Sequence, residues 1–168
     1  MLLIEHLYSG PDDATHTLTL SFDLRTRSRL RTTLDSGEDA GLFLPRGTVL
    51  RGGQRLLTSA GDIVEVVAAP EALMEVQCEN ALDLTRAAFH LGVRQVTAQF
   101  GSNMRGGWLR LAADEAQEDW LLGLGYMVRH LDAPFEPELA TLHNHGRHHD
   151  SAPCGRRSPR IHEFRNNA

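Results

Sequence analysis

Four histidines, His143, His145, His148 and His149, fall within seven residues and are separated only by Asn, Gly and Arg. Imidazole is the commonest metal-binding side chain, and with an unperturbed pKa of about 6.5 most of it is neutral, and so able to coordinate, slightly above pH 7. Chain without packing residues can fold two or three such nitrogens around one ion, at a cost of about 1–2 kcal/mol for each residue whose backbone becomes fixed. The tract therefore predicts a late-3d metal site of modest affinity, suited to Ni(II), Cu(II) or Zn(II) and ill suited to Mg(II) or Ca(II), which prefer oxygen. Cys154 is a more distant auxiliary donor, and His162 lies further along, beyond Pro159. Two other readings stand beside this one. The tract gains up to four positive charges on acidification, although nothing nearby is arranged to read that change out, and a solvated low-complexity segment needs no role at all.

Other chemistry is missing. The chain has no G-x-S-x-G, no H-E-x-x-H, no phosphate-binding Gly-rich loop and no Cys with an obvious His partner. Asp114, Glu115, Glu118 and Asp119 have the spacing of a solvated helix face, so the protein is not expected to be an enzyme. A formal net charge of -5, with all 17 basic residues Arg, argues against a nucleic-acid partner. Two cysteines, Cys78 and Cys154, are too few for a disulfide framework. "MLLIEHLYSG" has no basic leader region, and no apolar run approaches the roughly 20 residues of a membrane span. A cytoplasmic protein with neither signal nor membrane anchor is expected.

The elements that must position these residues fall into two rhythms. Leu18, Leu20 and Phe22 alternate with Thr17, Thr19 and Ser21, the period of a half-buried strand. The alternation continues through Leu30, Thr32 and Leu34 to an Asp-Ser-Gly turn, and three more short runs follow, broken by Pro45, Gly52-Gly53 and Gly61. Residues 1–70 thus read as a small all-β domain of five or more strands, with "AAPE" at 68–71 as a hinge. Beyond it the period alternates. "LMEVQC" is a strand, and "NALDLTRAAFHLG" is a helix with Leu82, Thr85, Ala88 and Phe89 on one face, stopping at Gly92. "VTAQF" is a strand, "GSNMRGG" a long hairpin loop and "WLRL" its partner. Asp114 caps a second helix with Trp120, Leu121 and Leu124 as its stripe, and "YMVRHLD" closes the set. The order βαββαβ predicts an α+β ferredoxin-like domain over 71–138. Residues 139–168 read as a disordered, His-bearing tail by composition.

The segments "SRLRTTLDSGEDAGLFLPRGTVLRGG", "AFHLGVRQV" and "GWLRL", then "DEAQEDWLLGLG" and "APFEPELATLHNHG", taken in order, resemble the urease accessory metallochaperones of the UreE family. The first resembles that family's Arg/Ser-rich strand and L-x-L-P-R-G segment, and the second its H-L-G-N-R-H segment. The likeness runs from about residue 15 to 149. It implies a non-catalytic homodimer that binds Ni(II) and passes it to the urease apoprotein and other urease accessory proteins, with the second domain carrying both metal and dimer contacts. It also implies which residues matter. The last histidine of H-L-G-N-R-H is the family's principal nickel ligand, shared across the two-fold, and Gln95 stands there. A Gln carbonyl is a much weaker partner for Ni(II), so the shared site is expected to be weakened or absent. The family's histidines after G-x-L-R are replaced by Ala112, Ala113, Asp114 and Glu115. His90 keeps the family's first histidine, either as a metal ligand or as a last-turn residue interacting with the helix C-terminus. The best metal candidates are then His143, His145, His148 and His149 with His90.

His6, His16 and His130 read as structural or merely exposed, and the alternating Arg27, Arg29 and Arg31 as a solvated strand edge or a docking surface for an acidic partner. A metal buffer that needs only the tail, or a scaffold of urease maturation without metal, are the alternatives to a chaperone. Coordination requires deprotonated imidazole, so Ni(II) affinity is expected to fall steeply below about pH 6. Calorimetric titrations at pH 5.5 and 7.5 check this, and equal affinities at the two would contradict histidine ligation.

Overall fold

The computed structural model describes residues 1–104 and 106–139, so the histidine tract, Cys154, His162 and the expected disorder of the tail lie outside the described residues. The chain builds two sheets. The first contains β1 (Leu2–Tyr8), β2 (His16–Leu20), β3 (Arg29–Thr33), β4 (Asp39–Phe43), β5 (Arg55–Thr58) and β6 (Ile63–Ala68), in the order β2-β6-β5-β1-β4-β3. Leu18 and Leu20 point inward as expected, joining Ile4, Leu42, Leu50, Leu56, Val64 and Val66 in one apolar core, while Thr17 and Thr19 face out. Those two threonines have a partner. The Asp35 carboxylate, in the turn after β3, accepts from both hydroxyls at 2.7 and 2.8 Å and from the Thr19 N–H at 3.1 Å. This ties edge strand β2 to the turn beside the opposite edge strand, and the Thr17 hydroxyl, with Thr19, holds the Asp35 carboxyl below its ordinary range.

One strand of this half goes beyond the sequence reading, and one expectation needs correction. "LLIEHLY" is an interior strand, β1, paired in parallel with β4 and antiparallel with β5, and a run this short carries no periodicity that distinguishes strand from leader. Phe22 does not continue β2. Ser21 starts a one-turn helix, α1 (Phe22–Arg25), because the Phe22 N–H is taken by the Glu71 carboxylate at 2.7 Å and the Phe22 ring packs edge-on to Phe135 at 5.5 Å.

The second sheet contains β7 (Pro70–Cys78), β8 (Gln99–Asn103), β9 (Gly106–Ala112) and β10 (Met127–Pro134), in the order β10-β7-β9-β8 with every neighbouring pair antiparallel. Helices α2 (Ala81–Val93) and α3 (Glu115–Gly123) pack on one face, against Met74, Val76, Leu109 and Leu111. The element order is the expected one, and Asn80 and Asp114 cap the two helices by accepting from the backbone N–H three residues on.

Details differ. The buried stripe of α2 is Leu84, Ala87, Ala88 and Leu91, whereas Leu82 and Phe89 are exposed. Of the α3 stripe, Trp120 and Leu121 pack inward and Leu124 is exposed. "GSN" and "GG" belong to the hairpin strands, not to a long loop, and the strand expected at 96–100 starts three residues later. Its glycines are there for room: a Cβ on Gly101 would lie 2.1 Å from the Trp108 ring, and one on Gly106 would lie 2.4 Å from the Cys78 carbonyl. The hinge expected at 68–71 is the single residue Ala69 between β6 and β7, pinned by its N–H to the Leu20 carbonyl at 2.9 Å.

The sheets are joined by a buried cation. Arg25 has no exposed surface, and it donates to the carbonyls of Leu20 and Leu50 at 3.2 Å, to the Phe135 carbonyl, and to Glu136 Oε1 at 2.7 Å. Glu136 is held in turn by Arg51 at 2.9 Å and the Gly52 N–H at 2.8 Å. Burial alone would raise the Glu136 carboxyl, but the Gly52 N–H and the two guanidinium groups outweigh it and keep it below the ordinary carboxylate range.

Removing the carboxylate leaves a buried charge short of its partner, so Glu136→Ala is expected to cost on the order of 3 kcal/mol in urea unfolding. Because the folded-state pKa is depressed, this stabilisation is present above the unfolded value of about 4.3 and is lost as pH falls through the folded value. The stability gap between wild type and Glu136→Gln should therefore narrow between pH 6 and pH 3, and a constant gap would contradict the ionic role.

Candidate metal centre

Helix α2 ends later, and differently, than its Gly92 suggests. The Gln95 N–H bonds the Gly92 carbonyl at 3.0 Å and the Val96 N–H bonds the Leu91 carbonyl at 3.0 Å, the paired bonds of a Schellman cap. That motif needs a left-handed residue just past the helix, and Gln95 supplies it at φ 57. Among the described residues it is the only non-glycine with positive φ. Glycine or asparagine is the usual choice there, and a long side chain costs on the order of 1 kcal/mol. The sequence signal for this cap was the apolar pair Leu91 and Val96 bracketing the turn, which the glycine at 92 masked.

A cleft of about 480 Å³ opens beside this cap, lined by Ala88, Leu91, Gln95, Val96, Phe100, Glu138 and Leu139 among others. Glu138 is fixed there by its N–H to the Ala98 carbonyl at 2.9 Å. The last described residues of the chain thus line the same cleft as the residue that stands in the expected ligand position.

His90 occupies the last turn of α2, as expected, with its carbonyl accepting the Arg94 N–H at 3.3 Å. Its ring is exposed and meets Phe89 and Trp120 edge-on, with centroids at 5.7 and 6.1 Å. It borders a second cleft, of about 460 Å³, with Cys78, Glu79, Asp83 and Tyr126. These donors do not converge: among the described residues no group of three or more His, Cys, Asp or Glu is placed to hold an ion. Burial, and then the Asp83 charge, push the Cys78 thiol up, which keeps it protonated and a poor ligand at neutral pH.

The remaining sequence candidates are dispersed. His6 is exposed on β1, His16 lies 3.9 Å from Glu38, and His130 on β10 lies 2.9 Å from Glu118. At the positions after "GWLR", Ala112 and Ala113 offer no donor and the Asp114 carboxylate is engaged by the Gln117 N–H at 2.8 Å. Arg29 and Arg31 are exposed on edge strand β3, where charge discourages pairing with another sheet, while Arg27 precedes the strand and pairs with Asp23 at 2.6 Å. No described helix is long and apolar enough to cross a membrane.

Residues 4–69 match the model of the UreE urease accessory protein N-terminal domain, and residues 71–163 match that of its C-terminal domain. The urease accessory protein UreE of Azotobacter vinelandii is 42% identical over 167 residues, covering 98% of each chain. That of Nitrosospira multiformis is 42% identical over 149 residues, 89% of this chain and 82% of the relative. That of Paraburkholderia xenovorans is 47% identical over 133 residues, 77% of this chain but 57% of the longer relative. With both family models matched in order and covering most of its length, the chain belongs to the UreE family of urease accessory proteins.

Proposed function

We propose that this chain is a nickel-binding metallochaperone that donates Ni(II) during urease metallocentre assembly, in the cytoplasm, to the urease apoprotein and its other accessory proteins. It does so without catalysis of its own. In this reading residues 1–70 are the β-rich N-terminal domain, 71–138 a ferredoxin-like metal-binding and dimerisation domain, and 139–168 the His-bearing tail. The strand order β10-β7-β9-β8, with β9 lying between and antiparallel to β7 and β8, supports the ferredoxin-like assignment.

The observation that carries the metal reading is that Glu138, bonded to Ala98, and Leu139 line the same cleft as Gln95. At no more than about 3.5 Å of chain per residue, His143 lies within about 14 Å of Leu139 and His145 within about 21 Å. Tail imidazoles therefore reach the position where the family's shared ligand is replaced by Gln95, and they take over coordination there. Imidazole ligands of modest affinity exchange readily, which suits a protein that must release its ion. Imidazole ligation also admits Zn(II) or Cu(II). His90, exposed on the last turn of α2, is an auxiliary donor. The exposed apolar residues Leu82, Phe89 and Val93 of α2, with Phe100 beside its C-terminal end, support a homodimer through this face, which the expected α2 stripe had assigned to the core. One observation favours the alternative of a metal buffer: the described residues assemble no ligand group of their own, so a tail acting alone would suffice for storage.

Calorimetric titration of Ni(II) at pH 7.5 tests the proposal on the full chain and on a truncation after Glu138. The truncation is expected to lose binding, and Gln95→His within it to restore about one ion per dimer. Undiminished affinity in the truncation would overturn the assignment of the tail as the working ligand set. Loss of binding without restoration by Gln95→His would favour the buffer.

A further inference from the structure

The face of the second sheet turned away from α2 and α3 carries two cross-strand rows. One runs Met127, Gln77, Trp108, Gly101, and the next runs Arg129, Glu75, Arg110, Gln99. Glu75 sits at the centre of the second row with 2% of its surface exposed, and accepts from Arg110 Nε at 2.7 Å, from Arg129 Nη2 at 2.6 Å and from the Gln77 amide. A buried carboxylate in a central strand gives little stability over an apolar residue of similar size, and the helix-side residues Met74, Val76, Leu109 and Leu111 of β7 and β9 are apolar. What Glu75 does achieve is to fix two guanidinium groups side by side. Each meets it through a single nitrogen, and no other acceptor among the described residues engages either fork.

The surroundings complete a recognition surface. Arg110 lies flat over the Trp108 ring, 4.2 Å from its centroid, and the ring lies across Gly101, where a Cβ would be 2.1 Å away. The Arg129 side chain is 64% exposed and Met127 is 68% exposed. Trp, Arg and Met are the residue types that dominate the centres of protein interfaces. Residues 1–139 hold 12 Arg against 20 carboxylates, so this spot, where two guanidinium groups outnumber one carboxylate, stands against an acidic background.

We propose that this sheet face is a docking surface for an acidic, extended segment of a partner protein, whose carboxylates bridge the open forks of Arg110 and Arg129 while its backbone crosses Trp108 and Met127. The forks match carboxylate geometry in a way that a point charge does not. The two Arg strands are about 10 Å apart and their side chains converge on Glu75, so carboxylates at alternate positions of an extended chain, about 7 Å apart, span them. Single-stranded nucleic acid fits less well, because it needs several stacking rings and this face offers Trp108 alone, already covered by Arg110.

An alternating Glu-Gly decapeptide titrated into the isotope-labelled full chain, followed by nuclear magnetic resonance, tests the proposal independently of nickel. The Trp108 indole N–H and the Arg110 and Arg129 Nε–H signals are expected to shift and saturate. Affinity should fall about fivefold in Arg129→Ala, which leaves Glu75 paired with Arg110 and whose fold is checked by unchanged amide signals in the first sheet, and fall again in high salt. Absence of shifts on this face, an affinity unchanged by Arg129→Ala, or preferential binding of oligouridylate at the same residues would each overturn it.

Discussion

A guanidinium removed from water stays charged, so it must find acceptors for its fixed fork of donors or not be buried at all. Arg25 meets that demand with carbonyls from Leu20 and Leu50 in the first sheet's chain and from Phe135 beyond the second, and with one carboxylate, Glu136. No single element could supply this set. The two sheets therefore have to sit where the acceptors coincide, and the segment Phe135–Glu138 has to cross from the end of β10 back over the first sheet. The last described residues are fixed as a by-product: the strap that neutralises Arg25 delivers Glu138 to Ala98 and Leu139 to the cleft that Gln95 also lines.

Much of this was legible as pattern, and what was not has physical reasons. Period-2 alternation located Leu18 and Leu20 correctly, and cap chemistry located Asp114, because both depend on neighbours in sequence. Phe22 broke the alternation because its N–H and ring answer to Glu71 and Phe135, which local sequence does not contain. Nothing in the local sequence marks Arg25 as buried, for the same reason. The wrong face of α2 was chosen because the helix has two apolar faces, one on the sheet and one open, and hydrophobicity alone does not rank them. Gly101 and Gly106 looked like loop residues until the Trp108 ring and the Cys78 carbonyl, which claim the missing Cβ space, were in view.

The proposed metal site divides along the same line. His90 was placed correctly on a last helical turn, and the substitution at Gln95 was visible as a departure from the family motif. The left-handed backbone of Gln95 was not. Such a conformation is strained for a long side chain, and strain of this kind persists where surrounding structure over-determines it, here through the Schellman bonds and the packing of Val96 beneath the helix. The backbone thus presents position 95 at the helix end beside the exposed α2 face, although the side chain there is an amide and not the imidazole that the resemblance implies. In the proposed reading, a ligand supplied from the tail then has a formed place to come to.

The central claim is that coordination has passed from position 95 to the tail. Nickel-edge X-ray absorption on the Ni(II)-loaded full chain, compared with Gln95→Ala and with a variant in which His143 and His145 are both Ala, tests it most directly. The account predicts imidazole scattering that is unchanged by Gln95→Ala and reduced in the double variant. Imidazole scattering that survives the double variant undiminished, or nickel bound mainly through oxygen that is lost with Gln95, would contradict it.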